Sequence, residues 1–236
     1  MVRMSLERIK EEARRTALKR NYPYRIFFLS RISPYITYLF TKTSITPNQV
    51  TLLSFLFVLL SVILLSRPEP LNWIFGWLLL QVYLILDCSD GELARIKGMR
   101  TRFGAFLDNF LHPISNSLVV MGAGTGCYRA YHTPSLLLLT SGAAVITMAL
   151  SLSRSNILLL VKGREVQAKK GGGHPLVRLA LSPGGFFHPL LALSIVEMMA
   201  PKVPVRIIYI PSVLLIGLCL LVKRIFRFYR GERRRC

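Results

Sequence analysis

Six runs of apolar residues, at 47–66, 72–95, 103–128, 135–161, 185–200 and 205–222, leave this chain few ways to fold. A hydrocarbon core of about 30 Å is crossed by about 20 helical residues rising 1.5 Å each. Most of the runs reach that length, and the fifth is short. The spacing predicts an all-α, polytopic membrane protein with six transmembrane helices. Thr46 followed by Pro47 reads as an N-cap and first helical residue opening the first span. Pro201 and Pro204 mark the turnaround after the fifth.

Charge then orients the runs. The chain carries 31 Lys and Arg against 11 Asp and Glu, a net charge of +20. Alternating sides with six spans puts 26 of the basic residues on one side; Arg67, Arg129, Lys202 and Arg206 fall on the other, and Arg154 lies within the fourth run. By the positive-inside rule both termini face the cytoplasm. Such a basic surplus suits anionic lipid or a phosphorylated substrate. Nucleic acid is set aside, because no zinc-finger, helix-turn-helix or RNA-binding signature accompanies the charge. The four cysteines are scattered without a C-x-x-C, which argues against structural zinc and against a disulfide framework. The charged N-terminus lacks an apolar h-region, so no cleavable signal peptide is expected.

Ahead of the first span, Leu6, Ile9, Ala13 and Ala17 form a thin apolar stripe on a charged helix. It reads either as a solvated helix or as a basic helix lying on an anionic membrane surface. Residues 22–40 are aromatic but broken by Pro23, Pro34, Arg25 and Arg31, which suits an interfacial segment. Three parts follow: 1–42 as an amphipathic and interfacial cytoplasmic segment, 43–228 as a six-helix membrane catalytic domain, and 229–236 as a basic cytoplasmic tail.

The chemistry concentrates at the cytoplasmic ends of the second and third runs. Asp87, Asp90, Gly91, Ala94 and Arg95 recur at i, i+3, i+4, i+7 and i+8, so they share one helical face. Gly104, Asp108 and His112 recur every fourth residue on the next helix. A short hairpin between the two predicts antiparallel neighbours with facing stripes. Ionisable groups at the edge of a bilayer core are costly and usually functional. Clustered carboxylates repel unless a cation neutralises them, and an oxygen-rich set suits Mg²⁺ or Mn²⁺ rather than Zn²⁺. Such ions bind phosphates, glycines leave room for a bulky group, and Arg95 can bind a phosphate oxygen bidentately. Together they describe a nucleoside diphosphate site.

The pattern resembles the signature of the CDP-alcohol phosphotransferase family, D-x2-D-G-x2-A-R-x8-G-x3-D-x3-D. This chain matches at Asp87, Asp90, Gly91, Ala94, Arg95, Gly104 and Asp108, including the eight-residue spacer. The run Thr46, Pro47, Asn48, Thr51 is similar to the family's lead into its first span. The resemblance implies transfer of a substituted phosphate from a CDP-linked lipid to an acceptor hydroxyl with release of CMP, in phospholipid biosynthesis. It implies that Asp87, Asp90 and Asp108 hold two divalent ions, and that Gly91, Ala94, Arg95, Gly104, Asn48 and Thr51 serve the CDP-linked donor. A homodimer is common in the family. Gly122 and Gly126, at G-x-x-x-G spacing, permit either such a seam or close packing inside one subunit.

At the last position of the signature His112 stands where the family has a fourth Asp, generally taken as the base. Three readings compete. His112 is a general base, since imidazole titrates near neutrality; or it is a metal ligand, which favours Mn²⁺; or it marks a catalytically degenerate CDP-lipid-binding homologue. The first is preferred, because every other motif position is intact. Arg154 either meets a phosphate on the acceptor or is a structural or snorkelling charge. The acceptor is a phosphorylated polyol, a neutral lipid alcohol or an amino acid. A divalent-cation transporter is the rival class; it fits less well, because the carboxylate stripe climbs to one membrane face and occurs once. Glu92 reads as an outer-face or supporting residue, Glu197 has no assignment, and His132, His174 and His188 lack partners at ligand spacing.

Overall fold

A computed structural model describes residues 6–20, 24–161 and 187–233, with the side chains of 19, 20, 153–161, 224, 225 and 227–233 outside that description. All regular structure among the described residues is helical. Helix α1 spans Leu6–Arg20. A π-helical turn, Arg25–Leu29, runs into α2, Ser30–Thr41. Helices α3 (Pro47–Leu65), α4 (Pro70–Ile96), α5 (Arg102–Tyr131) and α6 (Ser135–Val161) follow. The last two are α7 (His188–Met199) and α8 (Tyr209–Arg233), the latter entered through a 3₁₀ turn at Val205–Ile208.

Among the described residues, four helical segments are long and apolar enough to cross a membrane: Pro47–Leu65, Pro70–Ile96, Ser135–Leu152 and Val205–Lys223. Two of the six expected spans fall short for different reasons. Helix α5 has 30 residues, ample length, but Arg102, Asp108, Asn109 and His112 dilute its apolar character. Helix α7 has 12 residues, about 18 Å of rise.

The N-terminal stripe packs inward. Ile9, Ala13 and Ala17 are each 2% exposed or less, against α2 and the end of α4. The face expected to meet solvent or lipid is therefore spent on the protein. Helix α2 is fastened to α4 by Glu92, whose carboxylate accepts hydrogen bonds from Ser33 Oγ (2.7 Å) and Thr37 Oγ1 (2.8 Å). Glu92 thus faces the interior, correcting the outer-face reading; a buried carboxylate needs such donors. Tyr24 donates to Gln81 of α4 and stacks edge-on against His188 of α7. Burial pushes this phenol up to about 12, so it keeps its proton and donates.

Helix α3 is the spine that carries the site. Thr46 caps it in a reciprocal capping box with Gln49, and Pro47 supplies the first turn. Both α4 and α5 pack along α3, while sharing few close backbone contacts with each other. The expected neighbours meet through side chains, Tyr83 of α4 against His112 of α5, and face each other across a cleft that α3 also lines. The glycine stripe of α5 explains its closeness to α3. A Cβ at Gly122 would stand 2.9 Å from Val62 O, and one at Gly126 2.1 Å from Leu65 O. Gly124 similarly admits Thr140 of α6. Both members of the G-x-x-x-G pair are consumed by packing within the chain.

At the far end of α5 a buried clasp joins four elements. Arg206, 1% exposed, donates from Nη2 to Glu197 Oε1 (2.6 Å) and to Pro68 O (2.7 Å) and lies over the Trp73 ring. Tyr131 Oη donates to Glu197 Oε2 at 2.5 Å. Glu197 and Arg206 thereby gain the assignment that their isolation in sequence withheld. His132 caps α5 in the left-handed region at φ 51°, and His174 lies outside the described residues.

Candidate active site

The third turn from the C-terminal end of α4 supplies the deepest carboxylate. Asp87 lies eight residues before Arg95, about 12 Å along the axis. Asp90 is buried, and its Oδ2 accepts a hydrogen bond from Thr51 Oγ1 of α3 at 2.5 Å. Asp87 and Asp108 are close enough to act on that carboxylate electrostatically. Helix α5 opens with Thr101 as its N-cap, accepting from the Gly104 amide at 2.9 Å. That cap fixes the phase that turns Asp108 and His112 toward the cleft.

Asp87, Asp108 and His112 line one cavity with Thr51, Ser54, Phe55, Tyr83, Leu111 and Ser115. Asp87 of one stripe and Asp108 and His112 of the other thus meet, while Asp90, Gly91, Ala94, Arg95 and Gly104 do not line this cavity. The cavity is small, about 10 Å³, room for one water-sized sphere. The space expected beside the motif glycines is partly filled. A Cβ on Gly91 would meet Arg95 Nη1 at 3.5 Å, because the Arg95 side chain folds back along its own helix. A Cβ on Gly104 would stand 2.8 Å from Asn48 Oδ1. Gly104 is therefore the point where α5 passes the first turn of α3, and Asn48 and Gly104 belong to one wall. Ala94 is half-buried on the same face of α4. Arg154 lies on the backbone of α6, and its side chain is outside the described residues.

Tyr83 was not visible as a site residue in the sequence. It sits one turn before Asp87 on α4, 3% exposed, with its hydroxyl 3.0 Å from His112 Nδ1. This hydrogen bond occupies one ring nitrogen and leaves Nε2 to the cavity. The only available signal was spacing: Tyr83, Asp87, Asp90 and Gly91 run along one face.

Three carboxylates within electrostatic reach, one of them buried, repel one another unless a cation or a proton neutralises them. Their hard oxygen donors, with Thr51 beside them, fit a divalent ion of the Mg²⁺ or Mn²⁺ type. Among the described residues, no three His, Cys, Asp or Glu side chains are drawn together tightly enough to hold a metal ion. Asp90 is turned to Thr51 instead.

The fold and site define a helical protein with membrane-length apolar helices and a carboxylate-lined cleft at one end of the bundle. The chain belongs to the CDP-alcohol phosphatidyltransferase family, which it matches over residues 44–225. It is 42% identical over 82 residues to a bifunctional IPC transferase and DIPP synthase of Aquifex aeolicus, covering 35% of this chain and 17% of that protein. It is 39% identical over 83 residues to an archaetidylinositol phosphate synthase of Pyrococcus horikoshii, covering 35% of this chain and 42% of that protein. The chain therefore spans less than half the length of either relative. A longer match, 26% identical over 184 residues, is to an archaetidylinositol phosphate synthase of Aeropyrum pernix, covering 78% of this chain and 90% of that one. The fold is that of the phosphatidylinositol phosphate synthase of Mycobacterium tuberculosis, whose crystal structure has CDP-DAG bound. The TM-score is 0.59 at 20% identity, over 83% of this chain and 92% of that one.

Proposed function

We propose that this protein is a metal-dependent phosphotransferase that joins a CDP-linked lipid to the hydroxyl of a phosphorylated inositol, releasing CMP. The observation that carries the reading is the convergence of Asp87, Asp108 and His112 on one cavity, in a chain whose family signature is otherwise intact. Several relatives are synthases of archaetidylinositol phosphate or phosphatidylinositol phosphate, which supports the choice of acceptor.

In this account the acceptor oxygen forms a bond to the lipid-side phosphorus of the diphosphate, and the phosphorus–oxygen bond to CMP breaks. The hydroxyl proton passes to His112 Nε2. In this role Nδ1–H donates a hydrogen bond to the Tyr83 hydroxyl, which favours the tautomer whose Nε2 is basic. Asp87, Asp90 and Asp108 would hold the Mg²⁺ or Mn²⁺ ions, which supply charge stabilisation at the transferring phosphoryl group and the departing CMP. Thr51 orients Asp90. Gly91, Ala94, Gly104 and Asn48 form the wall against which the nucleotide lies, with Arg95 and Arg154 as phosphate contacts. The cavity must widen to admit the diphosphate, and the sparse contact between α4 and α5 is the place where widening costs least packing.

We place the site at the cytoplasmic face, with both termini on that side and α5 and α7 completing six spans. The basic bias of the loops supports this. The polar half of α5 lines the cleft while Phe103, Phe106 and Phe110 are exposed; those rings would meet acyl chains entering sideways from the bilayer. Residues 1–42 form the flanking segment, 43–228 the catalytic domain and 229–236 the tail. A homodimer would use a face other than the glycine stripe, which α3 already occupies.

The test is CMP release by protein in lipid nanodiscs, supplied with CDP-diacylglycerol, Mg²⁺ and a panel of inositol phosphate, inositol, glycerol phosphate and serine. Release with inositol phosphate alone, with a product of the matching mass, is expected. No release with any acceptor in Mg²⁺ or Mn²⁺ would refute the enzyme reading.

A further inference from the structure

A second recess, larger than the cavity at Asp87 and His112, lies elsewhere in the protein. A groove of about 430 Å³ runs between α1 and the C-terminal end of α4, lined by Arg8, Ile9, Glu11, Glu12, Arg15, Arg95, Ile96 and Arg100. It shares no lining residue with the cavity at Asp87 and His112. Four guanidinium groups face two carboxylates there. The size is that of a small-molecule site rather than a crevice between side chains.

Arg95 supplies the second observation. Its Nε lies 3.3 Å from Glu12 Oε1, an ion pair without hydrogen-bonding alignment, and its Nε and Nη2 are buried with no hydrogen-bond partner. Arg25 and Arg100 stand close enough to repel it. Buried guanidinium donors without acceptors are costly, and like charges drawn to one recess are costlier. A phosphate relieves both at once, because its oxygens accept in the forked geometry that guanidinium presents. The short aliphatic floor of Ile9 and Ile96 leaves space for a small carbon skeleton beside the charged rim.

We propose that this groove is a binding site for a phosphate-bearing ligand, held by Arg8, Arg15, Arg95 and Arg100, with Glu12 competing for Arg95 when the site is empty. The shared chemistry is a phosphate monoester or diester; the source is a soluble sugar phosphate or the headgroup of an anionic lipid. The site needs no divalent ion, since its charge is already positive. This distinguishes it from the metal-binding carboxylates of the cleft, although Arg95, given above to the donor diphosphate, lines the groove as well.

The experiment is binding in EDTA, which removes divalent ions from the carboxylate cleft. Inositol phosphate and inorganic phosphate are titrated calorimetrically into protein in zwitterionic nanodiscs, and phosphatidylglycerol is compared with phosphatidylcholine by native mass spectrometry. Binding of at least one phosphate probe is expected. It should weaken about tenfold or more in Arg8→Gln/Arg15→Gln, both on the accessible rim of the groove, and tighten in Glu12→Gln. A soluble probe bound in calorimetry identifies a sugar phosphate site; retention of phosphatidylglycerol alone identifies a lipid headgroup site. Failure of every probe to bind the wild-type protein, or equal binding by wild type and both variants, would overturn the proposal.

Discussion

The Tyr83 hydroxyl and His112 Nδ1 lie 3.0 Å apart across the cleft between α4 and α5, within the wall of the cavity that Asp87 and Asp108 share. One bond thus connects the carboxylate-bearing helix to the residue that replaces the family's last aspartate. Removing the hydroxyl should free the ring to rotate without emptying the pocket. Tyr83→Phe is expected to lower kcat roughly 3- to 10-fold, the worth of one such hydrogen bond, with KM for the donor unchanged. In a His112→Asp background the same change should do little, because the bond's other partner is gone. Equal losses in both backgrounds would make Tyr83 a packing residue only.

His112 itself carries the proton in this account. His112→Ala should reduce CMP release by about 10²-fold or more, the usual contribution of a positioned base, whereas His112→Asp should retain measurable turnover. Single-turnover kinetics with saturating donor checks this directly. Wild-type rates in the alanine variant would exclude the base role.

Gly104 faces Asn48 so closely that a methyl group would stand 2.8 Å from its Oδ1. Gly104→Ala should push the Asn48 amide from the wall and weaken donor binding several-fold. Asn48→Ala in addition should relieve the clash but not restore affinity, if Asn48 contacts the nucleotide. Dissociation constants for CDP-diacylglycerol across the three variants decide the matter; full restoration by the double change would assign Asn48 to packing alone.

The Glu197–Arg206 clasp is a stability device remote from the chemistry. Arg206→Met leaves the Glu197 carboxylate buried without its counter-charge, a change that costs about 3–5 kcal/mol. Thermal unfolding in detergent should fall accordingly. Replacing both, as Glu197→Gln with Arg206→Met, should recover part of the loss. An unchanged midpoint for Arg206→Met would mean that water reaches the carboxylate.

Much of the carboxylate-lined site was legible because helical periodicity is rigid: residues at i, i+3, i+4 and i+8 share a face whatever surrounds them. That placed Asp87, Asp108 and His112 around one space before any coordinates. Tertiary choices were not legible. The sequence cannot say that α4 and α5 meet through side chains while α3 packs along both, since a short hairpin suits helices in close backbone contact as well as helices held apart. It likewise cannot say that Ile9, Ala13 and Ala17 meet protein rather than lipid, because both are apolar. Tyr83 went unremarked and the outer-face alternative for Glu92 failed for one reason: a polar group in an apolar helix declares its need for a partner but not the partner's identity. Glu92 found Ser33 and Thr37, more than fifty residues earlier in the chain. At its C-terminal end the short fifth apolar helix has a composition-based limit, since Ala200 and Pro201 close α7.

The central claim is that the carboxylates of α4 and α5 act together through a divalent ion on a diphosphate. The most direct measurement is the dependence of CMP release on Mg²⁺ or Mn²⁺ for the wild type and for Asp87→Asn, Asp90→Asn and Asp108→Asn. The account predicts that EDTA abolishes release, that either ion restores it in the wild type, and that no asparagine variant recovers at any metal concentration. Turnover in EDTA, or a wild-type metal response in any of the three variants, would contradict it.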